Sequence, residues 1–72
     1  MKIITCLEDC EQGDARRFLQ LKHTVVTECI GRLPQRNGGE VTIETCRCDD
    51  MTVVIIVGKN KDGVHTELVV IP

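Results

Sequence analysis

The sequence predicts an α+β domain: one amphipathic helix packed on a mainly antiparallel sheet of three to four strands, in the order β-α-β-β-β. Three observations carry this. Between Glu40 and Pro72 lie three short runs rich in β-branched residues, 40–48, 51–58 and 64–71. Two turn signals, Asp49-Asp50 and Asp62-Gly63, separate them. Ahead of them, apolar residues at 15, 18, 19, 25, 26, 29, 30 and 33 recur at a spacing that places them on one side of a helix.

Residues 2–7, Lys-Ile-Ile-Thr-Cys-Leu, suit a first strand that ends at the acidic run Glu8, Asp9 and Glu11. Gly13 breaks the pattern, and Asp14 offers a carboxylate to the free N–H groups of a first helical turn. The expected helix then runs from Ala15 to Leu33, weakened by Gly31 and stopped by Pro34. Lys22 falls within its apolar stripe, where its methylenes could lie on a sheet while the ammonium reaches water. Gln35 to Gly39 forms a connector in which Asn37-Gly38-Gly39 can take positive φ.

Two-residue turns would set Cys48 opposite Met51 and Lys61 opposite Val64, and that register assigns each side chain to a face. One face then carries Cys46, Cys48, Met51, Val53, Ile55, Val57, Leu68 and Val70. The other carries an apolar band of Val41, Ile43, Val54, Ile56, Val69 and Ile71, bordered by Thr45, Arg47, Thr52, His65 and Glu67. Two apolar faces need two covers, and one helix supplies one. The helix is expected on the first face, with Phe18, Val25, Val26, Cys29 and Ile30 against the sheet. The band is the candidate interface, to be covered by a second copy of the chain or by another protein.

At 72 residues the chain reads as a single domain, 1–72, of a size that buries only about 60% of its unfolded surface. With Phe18 the sole aromatic residue, the core must come from Val, Ile, Leu, Met and Cys. Met1-Lys2 is followed too soon by charge for a secretory core, and the longest apolar run, Val53 to Val57, is far short of a membrane span. A cytoplasmic protein with reduced cysteines and no membrane partner is therefore expected. The odd count of five cysteines agrees with that expectation.

Among the thiols, Cys6 and Cys10 are spaced C-x3-C and Cys46 and Cys48 C-x-C. Residues two apart on a strand share a face, so Cys46 and Cys48 could present paired thiolates to a soft metal, with Cys6 and Cys10 completing the set. The spacing is not the two-residue knuckle of structural zinc sites, and buried cysteine often packs as a small hydrophobe. No metal or other cofactor is expected on that ground. Neither His23 nor His65 is tied by spacing to a thiol, and the acidic pairs Glu8-Asp9 and Asp49-Asp50 sit at element ends, so no catalytic residues are assigned.

Arg16, Arg17, Lys22, Arg32 and Arg36 could contact phosphates, but neighbouring acids and the lack of sheet aromatics argue against nucleic acid as a partner. A net charge of −2 selects no partner by attraction alone. The function expected is that of a small, non-enzymatic protein-binding or regulatory module acting through its sheet face as a homodimer. A thiol metal-binding protein using Cys6, Cys10, Cys46 and Cys48 is the first alternative, and a nucleic-acid-binding regulator using the basic helix face is the second.

Overall fold

A computed structural model describes all 72 residues. It contains β1 (Lys2–Glu8), α1 (Asp14–Gln20), β2 (Val25–Pro34), β3 (Glu40–Cys48), β4 (Met51–Lys59) and β5 (His65–Ile71). The strands form one antiparallel sheet in the order β1-β5-β4-β3-β2. This overturns the expected three to four strands under a long helix in the order β-α-β-β-β. The second half of the expected helix is a ten-residue edge strand.

The physical reason lies in residues 24–30. Thr24-Val25-Val26-Thr27 is an unbroken β-branched run, whose stiff χ1 angles suit a strand better than a helix. The register against β3 slips between Thr27 and Cys29, where Thr27 faces Cys46 and Cys29 faces Thr45. That β-bulge stretches the strand's two-residue repeat to three at one place. Val26 and Cys29 consequently share one face and Thr27 and Ile30 the other, a spacing that imitates a helical stripe. The true helix ends where the N–H groups of Lys22 and His23 both turn back to the Leu19 carbonyl.

The β3–β4 turn follows expectation: Cys48 faces Met51, and Asp49 takes φ 52° in the two-residue loop. The β4–β5 turn is one residue longer than Asp62-Gly63 suggested. The Asn60 and Val64 backbones pair, the Gly63 N–H donates to the Asn60 carbonyl, and Gly63 sits at φ 83°. Asn60 Oδ1 accepts from the N–H groups of both Asp62 and Val64, at 2.9 and 3.0 Å, which stabilises this three-residue loop over the tighter alternative. The β2–β3 turn repeats the construction, with Gln35 and Gly39 paired and Gly38 at φ 86°. A side chain at Gly39 would meet the Lys59 carbonyl at 2.8 Å, so the two hairpins can approach only with glycine there.

One extra loop residue turns every side chain of β5 to the opposite face. Val69 and Ile71 leave the expected interface band and join Cys46, Cys48, Val53 and Ile55, while Leu68 and Val70 take their places. The same turn carries His65 and Glu67 to the helix side.

The helix crosses this covered face between β1 and β2, the two edges of the sheet. It contributes Ala15 and Leu19 to a core completed by Cys46, Cys48, Val53, Ile55, Val57 and Val69. Leu7, Val25, Met51 and Ile71 pack around it. Phe18, expected at the centre, is 40% exposed, and Val26, Cys29 and Ile30 are exposed strand residues. Leu19→Ala is therefore expected to cost about 2–5 kcal/mol of unfolding free energy in urea melts, and Phe18→Ala distinctly less. Equal losses from both would show that the ring, too, is part of the packed core.

Candidate functional site

Two regions of the molecule combine unusual chemistry with accessibility. The first is a titratable cluster where the end of β1, the start of α1 and β5 meet. The second is the sheet face opposite the helix.

In the cluster, His65 and Glu67 stand two residues apart on β5 and so project to the same side. Glu67 is 2% exposed, and its carboxylate does the work that Gly13, at the N-cap, has no side chain to do. Oε1 accepts the Ala15 N–H at 2.8 Å, and Oε2 accepts the Gly13 N–H at 3.3 Å. A strand residue thus caps the helix from 52 positions away in sequence. Asp14, the expected cap, instead accepts the Glu11 N–H at 2.9 Å and pairs with Arg17 at 3.0 Å.

Cys10 is held beside β5 by its own N–H, which donates to the His65 carbonyl at 3.1 Å. Its Sγ lies 3.7 Å from the carbonyl oxygens of Leu7 and His65, long contacts that engage the thiol weakly. The donor atoms of Cys10, His65 and Glu67 all lie within 4.8 Å of one another. Burial pushes the Cys10 thiol up, and the charges of Glu67 and Asp14 push it further. A protonated thiol is the opposite of the activated nucleophile that covalent catalysis uses.

The four cysteines considered as a ligand set are scattered. Cys46 and Cys48 are buried under the helix, Cys6 is exposed on strand β1 opposite Leu68, and only Cys10 belongs to a group of three or more metal-ligating side chains. All five cysteines are unpaired. Burial raises the pKa of Cys46 and of Cys48. Because the folded values exceed the unfolded ones, the stabilisation these thiols give is complete below about pH 9 and is lost as pH rises through the raised values. In the single chain, where Cys6 and Cys29 are exposed on the sheet face opposite the helix, a thiol reagent is expected to modify these two promptly and to reach Cys46 and Cys48 only on unfolding. Prompt reaction of all five would contradict the packing.

Four of the nine basic side chains are paired with acids. Arg16 pairs with Glu44 at 2.8 Å, Arg17 with Asp14, Arg32 with Glu40 at 3.8 Å and Arg47 with Glu28 at 3.5 Å. Arg16, Arg32, Glu40, Glu44, Lys59 and His65 border a polar groove of about 370 Å³ beside the helix, in which both signs of charge alternate. His23 hydrogen-bonds Asp49 at 2.8 Å, and this contact, with the Thr24 N–H, holds the Asp49 carboxyl below its ordinary range.

The second region, the open face, lies opposite the helix. It presents Val26 and Leu33 from β2, Val41 and Ile43 from β3, Val54 and Ile56 from β4, and Leu68 from β5, with Val70 on the same side but buried. Four of the six residues expected to form an interface band, Val41, Ile43, Val54 and Ile56, are on it; Val69 and Ile71 are on the covered side. Val26 and Leu33 are 57% and 55% exposed and Ile43 36%. Sequence reasoning missed the cluster because His65 and Glu67 were assigned to this face by the shorter turn. The signal that could have found it is Asn60, whose side chain favours the longer loop.

No helix is long and apolar enough to cross a membrane. No family model matches the chain, and no curated protein or solved structure does either.

Proposed function

We propose that the chain is a non-catalytic protein-binding module that works as a homodimer, with the open sheet face of one copy packed on the same face of the other. The observation that carries this reading is the apolar band on the sheet face that the seven-residue helix leaves uncovered. A stable antiparallel sheet normally turns a polar face to water. Here only 10 of 72 residues are buried. The accessible surface is 4991 Å², whereas a compact monomer of this mass exposes about 4,450 Å².

The occupant is argued from size and symmetry. The molecule measures 37 × 20 × 20 Å, so one sheet face offers a footprint comparable to the ~800 Å² per partner of a standard interface. Two such sheets stack about 10 Å apart with interdigitated side chains, and a two-fold axis lets one apolar patch satisfy itself. The lack of sheet aromatics, which leaves bases no ring to stack on, disfavours nucleic acid. Five unpaired thiols suit a reducing compartment.

The test is the solution mass, by sedimentation equilibrium at micromolar concentration under reducing conditions. Twice the chain mass of 8.0 kDa is expected. A monomer at high micromolar concentration would overturn the homodimer and leave a different protein as the partner to be sought.

A further inference from the structure

We propose that Cys10, His65 and Glu67 form a binding site for one zinc ion, with a fourth coordination position open. The three side chains supply sulfur, imidazole nitrogen and carboxylate oxygen, the donor set zinc takes. Their donor atoms already lie within 4.8 Å of one another. His65 Nε2 and Glu67 Oε2 are 3.4 Å apart, long for a hydrogen bond between these groups. Two ligands at about 2.0–2.1 Å from a tetrahedral zinc stand about 3.3–3.4 Å from each other, so this separation fits an intervening ion. The sulfur needs to draw in by no more than roughly 1 Å, and its weak contacts with two carbonyl oxygens do not oppose that.

The supports around the site are those a metal centre requires. Ligating carboxylates are usually fixed by hydrogen bonds from a second layer of groups, and Glu67 is held by the N–H groups of Ala15 and Gly13. Its Oε2, which has only the longer backbone bond, retains a lone pair for the ion. The alternation of β5 aims His65 and Glu67 together, and the Cys10 N–H bond to the His65 carbonyl fixes the third ligand to the same strand. On binding, the thiol loses its proton to solvent and the thiolate sulfur bonds the ion, so uptake releases protons. An ion here would join the end of β1, the start of α1 and β5, a staple of the kind small domains use.

The experiment is titration of the reduced full chain with cobalt(II) as a spectroscopic probe and with zinc in competition against a chromophoric chelator. Expected are one equivalent of either metal and a thiolate-to-cobalt charge-transfer band. Cys10→Ser should abolish the band and weaken zinc binding at least 100-fold, beyond the 10–100-fold typical of losing a supporting group. His65→Asn should weaken it comparably. The Cys6→Ser/Cys29→Ser double variant should bind as the parent does, because those exposed thiols lie outside the site. Circular dichroism of each variant separates lost ligation from lost folding. Absence of stoichiometric uptake, or binding that Cys10→Ser leaves intact while Cys6→Ser/Cys29→Ser removes it, would overturn the proposal.

Discussion

Replacing Ile43 with aspartate is expected to convert the proposed dimer to a folded monomer, with dimerisation weakened by a factor on the order of 10² to 10⁴. Ile43 lies opposite Ile56 near the middle of the open face and is 36% exposed in the single chain. A charge at a site already reached by water costs the isolated fold little. In a two-fold interface the same substitution occurs twice. Each copy forgoes the roughly 1.5–3 kcal/mol gained by burying such a side chain, so the pair loses about 3–6 kcal/mol before the cost of desolvating a carboxylate is counted. Sedimentation across a concentration series reads the shift, while circular dichroism confirms that the strands persist. Leu33→Asp, on edge strand β2, probes the same face farther from its centre and should weaken association less. If Ile43→Asp associates as tightly as the parent, the contact lies elsewhere. If it is unfolded while Leu33→Asp is folded and dimeric, the open face is needed for folding and not for pairing.

Glu67→Ala is expected to be the most damaging single truncation within the chain, at about 3–5 kcal/mol of unfolding free energy. Against a total of about 5–15 kcal/mol for a domain, that is a large fraction. The carboxylate is the acceptor for the N–H groups of Ala15 and Gly13. The buried Ala15 donor left without a partner costs about 1–3 kcal/mol, the half-buried Gly13 donor less, and the missing side chain leaves a void between β5 and the helix. Glu67→Gln retains one acceptor oxygen and should cost less than half as much. Paired urea melts of the two variants measure the difference. A loss below about 1 kcal/mol for Glu67→Ala would show that the seven-residue helix does not depend on this cap. Both variants should be studied without added metal, so that capping is measured apart from ligation.

The two predictions rest on different links between sequence and structure. The first uses a face that local pattern already marked: Val41 and Ile43 alternate with polar residues along β3, and the tight turn sets Val54 and Ile56 on the same side, opposite Thr45 and Ile43. The second uses a contact between residues 13–15 and 67, which no local pattern announces. Glutamate in the middle of a strand ordinarily reads as a residue facing water.

Sequence by itself determined the first strand, the three-stranded meander, the Asp49-Asp50 turn and the placement of Cys46, Cys48, Val53 and Ile55 on the face beneath the helix, because these follow from period-two alternation and short-range turn chemistry. Tertiary structure decided the rest. Thr24 to Pro34 carries a spacing compatible with either a helix or a bulged strand, and pairing with β3 selects the strand, satisfying its backbone groups along nearly the whole of β3. The β4–β5 loop length, set by the hydrogen bonds that Asn60 Oδ1 accepts from the Asp62 and Val64 N–H groups, decides which face β5 presents, and with it whether Glu67 meets solvent or the helix. One residue of loop length leaves the local propensities unchanged and inverts a whole strand, so the interface band and the Cys10, His65 and Glu67 cluster emerge only once the sheet register is known.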